Sequence, residues 1–433
     1  MAGIHLHPHD ILDEGVDSIL ERITKMNGVD RLFVEVNTIF ERNPYPTGRL
    51  PHNPKHEFVQ GTATLHVKLD LPPLRLNQRV DPTIVAGSDP LRDLKQATDS
   101  GPYKVIPWVN ILNGDFAGQI ENNQVIDFRG TPVEHWLCPN GPDVIELWIA
   151  TFSAIKAQYG YSTFLIDRIR YPDWAGKSVS PRGLFTCFCP HCQSEMTRTG
   201  INVEAVRQRL ETLAAHMRSG EYEATVDALL NDELLQRWMA FRQHSVSRFV
   251  QNLLAGISDR EAGESELWLD LWPPAYSWIL GQDYQSLTRS SKVLKHFPYH
   301  KLGGGADVQG LIEYFANDDA QRESAFRAFM RLFNLPYDIT YQQFKAEGFP
   351  IEFVKQQNNL VREKSQPGTF IYSGIQMWNL PPAALLEAIN AAEQSDCDDL
   401  LYYCYGWAEQ SLFDAAGNHY QKPIANTGEI HNG

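Results

Sequence analysis

The feature that most constrains this chain is an alternation. Eight short runs rich in β-branched and aromatic residues lie at 4–7, 31–40, 103–112, 163–171, 267–272, 292–300, 369–378 and 400–407. Most are separated by stretches with helical periodicity. Strand-then-helix alternation builds a parallel sheet, because parallel neighbours need a crossover and a helix supplies it. Eight such units close a (β/α)8 TIM barrel, and 433 residues suit one barrel with insertions. An open doubly wound sheet would place a glycine-rich phosphate turn after its first strand. That turn reads His7-Pro8-His9-Asp10 here, so the nucleotide fingerprint is missing. Gly303-Gly304-Gly305 leads into no phosphate-binding pattern and reads as a flexible turn.

Capping signals place several helices. Residues 11–26 follow Asp10, put Ile11, Val16, Ile19, Leu20 and Ile23 on one face, and end near Asn27-Gly28. Residues 144–159 gather Leu147, Trp148, Phe152 and Ile155, and stop at Gly160. Pro381 and Pro382 suit the first turn of a helix over 383–393. Two connections are long. Segment 41–100, after strand two, is rich in Pro, Gly and Asn and alternates Thr62, Thr64, His66 and Lys68 with apolar residues, which predicts a loop or hairpin insertion. Segment 173–265, after strand four, predicts a Cys-containing, largely helical insertion with helices at 206–217 and 234–257. The expected organisation is a single barrel over 1–433. Both insertions follow strands, so both belong to the face where barrels carry their chemistry.

A net charge of −15 argues against nucleic acid or an anionic membrane surface as partner, since both demand a dense positive face. No run of 18 apolar residues is present to span a bilayer. The opening MAGIHLHPHD has no basic-then-apolar signal pattern, and three of six cysteines crowd into CFCPHC rather than forming a disulfide spacing. A reducing, cytoplasmic compartment is expected, with secretion the alternative if a signal peptide has been removed. Oligomeric state is not encoded in any of these signals.

Ionisable residues inside apolar strands then stand out, because a buried charge is costly unless it is paired or used. Strand four carries Asp167 (FLIDRIRYP), strand five Asp270 (LWLDLW) and strand two Glu35 (FVEVN). Two carboxyls from adjacent strands at similar depth are what glycoside hydrolysis needs: one protonates the leaving oxygen while the other attacks, or activates water, at the anomeric carbon. Asp167 is expected as nucleophile or base and Asp270 as general acid, with Glu35 the alternative partner. Tryptophans at or beyond strand ends fit the C–H faces of sugar rings: Trp108, Trp136, Trp174, Trp272, Trp278, Trp378 and Trp407. Polar groups expected to bind the sugar are His5, His7, Asn37, Asn110, Arg170, Tyr299, His300 and Gln376. Arg170 has the opposite strand parity from Asp167, but twist near the strand end could bring it to the pocket.

The run FLIDRIRYP at 164–172 resembles the "DYIRYP"-type strand-four motif of glycoside-hydrolase-like TIM-barrel proteins, distant relatives of the α-amylase and α-galactosidase barrels. CFCPHC, LDLWPPAYSWILGQDY and KHFPYHK also resemble segments of such proteins. The resemblance implies a strand-four nucleophile at Asp167 and a strand-five acid/base at Asp270. Two departures stand: amylases carry glutamate at the second position, and an arginine where this chain has Leu165.

Histidine and cysteine patterns leave alternatives. His5-Leu6-His7 on strand one is how metal-dependent amidohydrolase barrels begin. The remaining ligands of such a site are only half furnished, by Asp167 and by His296 and His300 of strand six. Cys187-x-Cys189-x-x-Cys192, with Cys138 or His191 as fourth ligand, suits a structural zinc, and no cofactor is expected to be required for catalysis. A non-catalytic carbohydrate-binding barrel is the remaining alternative.

Overall fold

All eight runs become strands of one closed parallel barrel in the computed structural model, which describes residues 2–40, 46–58, 61–174, 181–260, 264–303 and 307–421. The strands are β1 Ala2–Leu6, β2 Val29–Asn37, β3 Lys104–Asn110 and β4 Thr163–Asp167, then β5 Glu266–Leu271, β6 Val293–His296, β7 Phe370–Gln376 and β8 Asp399–Tyr403. Each pairs with its sequence neighbours, and β1 closes the ring on β8. Alternation along the strands sorts side chains into two cores. One face packs outward against the helices. The other fills the lumen with a separate cluster of Phe33, Ile106, Trp108, Leu165, Trp268, Tyr372 and Leu401.

All eight strands end earlier than their composition predicts, and the three shortened most, by four residues each, do so for a local reason. The fourth stops at Asp167 because Arg168 turns into the left-handed region at φ 55°. The sixth stops at His296, before Pro298. The eighth stops at Tyr403, and Tyr405–Trp407 coils into one 3-10 turn. The helix expected over 11–26 is two helices, Pro8–Glu14 and Val16–Thr24. Gly15, at φ 79°, ends one and starts the other.

The alternating stretch of 41–100 does not fold back on itself as a hairpin. Leu65 makes single bridges to Asn37 and Val80, and Leu76–Gln78 pairs instead with Phe116–Gly118 beyond β3. The described part of that segment holds two isolated bridges of its own, Leu65 with Val80 (parallel) and Arg49 with Glu57 (antiparallel). Residues 41–45, 59 and 60 lie outside the described residues, as do 175–180 and 261–263 of the second insertion and Gly304 and Gly305. The described remainder of 173–265 carries helices Pro190–Arg198, Val203–Ser219, Tyr222–Asn231 and Glu233–Arg260. A third long connection, after β6, went unread in the sequence. It holds Val308–Phe315, Asp319–Leu332, Tyr341–Glu347 and Glu352–Lys364, of which Asp319–Leu332 packs against Tyr222–Asn231.

Candidate active site

Register assembles the site. Asn110 pairs with Asp167, Ile166 with Leu269, and Asp270 with Lys295, so Asn110, Asp167, Asp270 and Lys295 form one row across four neighbouring strands near their carboxyl ends. The turn at Arg168 lets Arg170 reach back, and its Nη1 lies 3.1 Å from Asp167 Oδ1. Asp173 fixes that arginine from the other side, accepting from Nε at 2.9 Å and Nη2 at 2.8 Å, and it also accepts from Arg168 at 3.0 Å. Burial opposes ionisation of Asp167. The positive charges of Arg170, Arg168 and Lys295 outweigh it and hold this carboxyl below its ordinary range.

Asp270 has the opposite setting. Burial is the largest influence and pushes it up to about 7, with neighbouring Asp167 adding to the shift. Lys295 opposes that shift, its Nζ donating to Oδ2 at 2.7 Å. Asp270 Oδ1 is buried without a hydrogen-bond partner. The two neighbouring carboxyls are thus driven in opposite directions, Asp270 upward chiefly by burial and Asp167 downward because the charge of Arg170, with Arg168 and Lys295, overcomes burial.

Glu35, one layer deeper on β2 beside Trp108, accepts from Asn110 Nδ2 at 2.9 Å. Burial drives its carboxyl well above the usual range, and Asp167 and Asp10 add to that, against the Asn110 bond and Arg168. Above it His7 Nε2 stands 3.9 Å from Glu35 Oε2. His5 lies within the lumen, walled by Trp108 at 4.5 Å, Tyr403 at 5.2 Å and Phe33 at 5.6 Å between ring centres. Both its ring nitrogens lack hydrogen-bond partners. The strand-one histidines thus do not act as a matched pair. It is His7, His9 and Asp10 whose ligand-type atoms converge, all within 4.8 Å.

An aromatic wall flanks this row. Tyr299 meets Trp378 at 4.8 Å, Trp378 meets Trp407 at 5.3 Å, and Tyr403 meets Trp407 at 5.7 Å. Tyr299 and Tyr403 are half-buried, and His7 stacks on Trp407 at 6.5 Å.

Other expected sugar-binding groups are engaged elsewhere. Both atoms of the Asn37 amide tie β2 to β3: Nδ2 donates to the Asn110 carbonyl and to Gln78, and Oδ1 accepts from the Asn110 amide. Gln376 is spent on Trp378 O and Lys301 N. The buried His300 accepts from Phe349 N at its backbone carbonyl, and His296 bonds Asn358 at 2.6 Å on the outer face of the barrel. Trp272 is fully buried under the Arg170 guanidinium, against Trp174 and Phe297. Trp174 and Trp278 pack on Phe333 of the third connection, and Trp136 is buried in the main core.

Sequence reasoning missed Lys295, Tyr403, His9, Asp10 and Asp173. Lys295 could have been found by the test that singled out Asp167: it is a charged residue inside an apolar strand. Away from the mouth, Cys138, Cys187, Cys189 and Cys192 meet in the buried seam between the β3 loop and the insertion after β4, with all four Sγ atoms within 4.8 Å of one another.

Fold and site together define a (β/α)8 barrel with a buried row of ionisable groups at the carboxyl ends of its strands. No family model matches the chain, and no curated protein matches it. Among solved structures it is similar to the catalytic domain of a β-amylase from Paenibacillus polymyxa, with a TM-score of 0.54 and 10% identity over 96% of this chain and 94% of that one. The likeness shows a shared barrel fold. Looser likenesses link it to a spore cortex-lytic enzyme from Bacillus cereus (TM-score 0.41, 11% identity, 96% and 73% coverage) and a chitinase from Rhizomucor miehei (TM-score 0.41, 7%, 96% and 99%). No helix among the described residues is long and apolar enough to cross a membrane.

Proposed function

We propose that the chain is a glycoside hydrolase acting on an oligo- or polysaccharide at the mouth of the barrel. The observation that carries this reading is the pair of in-register aspartates with opposed proton affinities, Asp167 held ionised and Asp270 pushed up to about 7. Environments that drive two neighbouring carboxyls apart define an acid and a base. Asp270 gives its proton to the glycosidic oxygen as the C1–O bond breaks. The Asp167 carboxylate attacks C1, or takes a proton from the water that does. Tyr299, Trp378, Tyr403 and Trp407 offer the sugar flat faces and His7 offers a donor, while Arg170, held by Asp167 and Asp173, orients the Asp167 carboxylate. The β-amylase that shares the barrel is by name a glycosidase, in keeping with this reading.

The deciding experiment is release of reducing sugar from a panel of α- and β-linked glycans by the wild type and by Asp167→Asn. Hydrolysis that disappears in the variant, with circular dichroism unchanged, supports the proposal. Equal activity in the variant refutes the assignment of Asp167, and glycan binding without hydrolysis by the wild type would make the protein a carbohydrate-binding barrel. A metal-dependent hydrolase is the second reading, favoured by one observation: one ligand-type atom from each of His7, His9 and Asp10 lies within 4.8 Å of the others, and His7 Nδ1, His9 Nε2 and Asp10 Oδ1 are buried without hydrogen-bond partners.

A further inference from the structure

Four cysteine sulfurs from two distant stretches of chain meet in a seam sealed from water. Cys138 follows the strand Pro132–Leu137 in the loop after β3. Cys187, Cys189 and Cys192 come from the insertion after β4, with Cys189 capping the helix Pro190–Arg198 and Cys192 in its first turn. Cys138, Cys187 and Cys192 are fully buried and Cys189 is 2% exposed. Cys138 Sγ lies 3.4 Å from Cys192 Sγ and 3.7 Å from Cys189 Sγ. Those separations are too long for an S–S bond of about 2.05 Å. They match the edge of a tetrahedron of sulfurs around zinc, which is about 3.8 Å for a Zn–S bond of about 2.3 Å.

The surroundings are built for negative sulfur. Backbone amides of Ile126 and Cys189 point at Cys187 Sγ, each at 3.4 Å, and that of Asn140 points at Cys138 Sγ at 3.4 Å. The Asn140 side chain donates to Cys192 Sγ at 3.3 Å and is itself held by Ser245 at 3.0 Å and Arg248 at 2.9 Å. Donors converging on sulfur are what a thiolate needs, whereas a neutral thiol gains little from them. A second observation concerns charge. Arg242 is fully buried next to Cys187 and Cys192, stacked on Tyr171 at 4.7 Å and Trp238 at 4.9 Å, and its guanidinium donates only to carbonyls of Ile279 and Leu184 and to Met239 sulfur. Among the described residues it has no carboxylate within ion-pair distance. A buried cation requires an anion, and a zinc ion with four thiolates carries a net charge of −2.

We propose that Cys138, Cys187, Cys189 and Cys192 hold one structural zinc ion, whose tetrathiolate charge is the counter-ion of Arg242. All four positions are protein sulfurs, so the centre has no open site for substrate, and its role is to clamp the insertion after β4 to the loop after β3. Tyr171, which packs against Arg242 and lies close to Cys138, Cys187 and Cys192, follows Arg170 directly, so the clamp also anchors the segment that turns Arg170 toward Asp167. Binding deprotonates each thiol it recruits, so four protons leave as one zinc enters.

The test is elemental analysis of the whole protein purified under reducing conditions without chelator, read beside cobalt substitution. One zinc per chain, and in the cobalt form the intense visible bands of a tetrahedral tetrathiolate, are expected. Cys189→Ser should bring zinc from one per chain to none and lower the Tm, while Cys397→Ser, outside the cluster, keeps it. Arg242→Met should weaken zinc retention against a competing chelator. If Cys189→Ser does not fold, the wild-type stoichiometry and cobalt spectrum still decide. A folded, metal-free protein that takes up no zinc and exposes four titratable thiols overturns the proposal, as does a Cys138–Cys192 disulfide found by mass spectrometry without reduction.

Discussion

Asp270 and Lys295, neighbours in register on β5 and β6, meet at 2.7 Å inside the barrel, and the lysine is only 3% exposed. The ammonium pulls the carboxyl toward ionisation while burial pushes it toward neutrality, which leaves Asp270 poised at about 7. An acid poised near neutral pH both holds and releases its proton there.

Lys295→Met removes the downward pull on Asp270. The alkaline limb of the pH–activity profile should therefore move to higher pH. Above pH 8 the unpaired buried carboxylate should cost stability, on the order of 3–5 kcal/mol as for other broken buried pairs, and less at pH 6, where Asp270 can take up a proton. Urea melts at the two pH values measure the difference, and equal losses would refute the coupling.

Asp270→Asn and Glu35→Gln separate the two candidate acids. If Asp270 is the acid, its amide variant should lose roughly 10²–10⁴-fold in kcat on substrates with poor leaving groups, and much less on activated aryl glycosides, which need little protonation. Glu35→Gln should then lower affinity while leaving the alkaline limb in place. The reverse pattern would transfer the role to Glu35.

Stability should peak near pH 6.5 instead of forming a plateau. Asp10, at about 8, and Asp270, at about 7, have raised folded values, so their contribution is complete below the unfolded carboxylate range and is lost as pH rises through 7 to 8. His7 and His66, at about 4, and His296 and His300, at about 3, are buried neutral, and burial lowers His5 and His9 as well. Unfolded histidines bind protons below about 6.5, so stability falls as pH drops from there toward 4. In that window the histidines outnumber the raised carboxyls, and the net slope is toward loss. Tm measured at half-unit steps from pH 4 to 9 checks the maximum.

Trp407→Phe should raise KM for the glycan several-fold with kcat within about twofold, since a stacking platform binds ground and transition states alike. A fall in kcat with KM unchanged would place Trp407 in the chemistry instead.

His9→Ala should leave the metal content at one per chain. Loss of a second essential metal in that variant, with activity, would favour the metal-dependent hydrolase over the glycosidase.

Much of this was legible before any coordinates. Asp167 and Asp270 drew attention because a charge inside an apolar strand demands an explanation, and CFCPHC because three thiols in six residues rarely serve packing alone. The same rule applied to LKHF would have found Lys295. Gln376 and Asn37 mark the limit of that rule: polar residues near strand ends also hold loops and strands together, as these two do, and only their partners show it.

The sequence by itself determined the barrel, because strand period, helix period and their eightfold alternation are local properties that propensity and burial enforce residue by residue. It also determined which residue types had to be paired or used. Tertiary structure decided the pairings. Asp167 comes beside Asp270 only through strand register, Arg170 reaches Asp167 only through the backbone turn at Arg168, and Cys138 meets Cys192 only because the loop after β3 and the insertion after β4 pack in one seam. These are contacts between residues far apart in the chain, or set by a single dihedral angle, and no local periodicity records them.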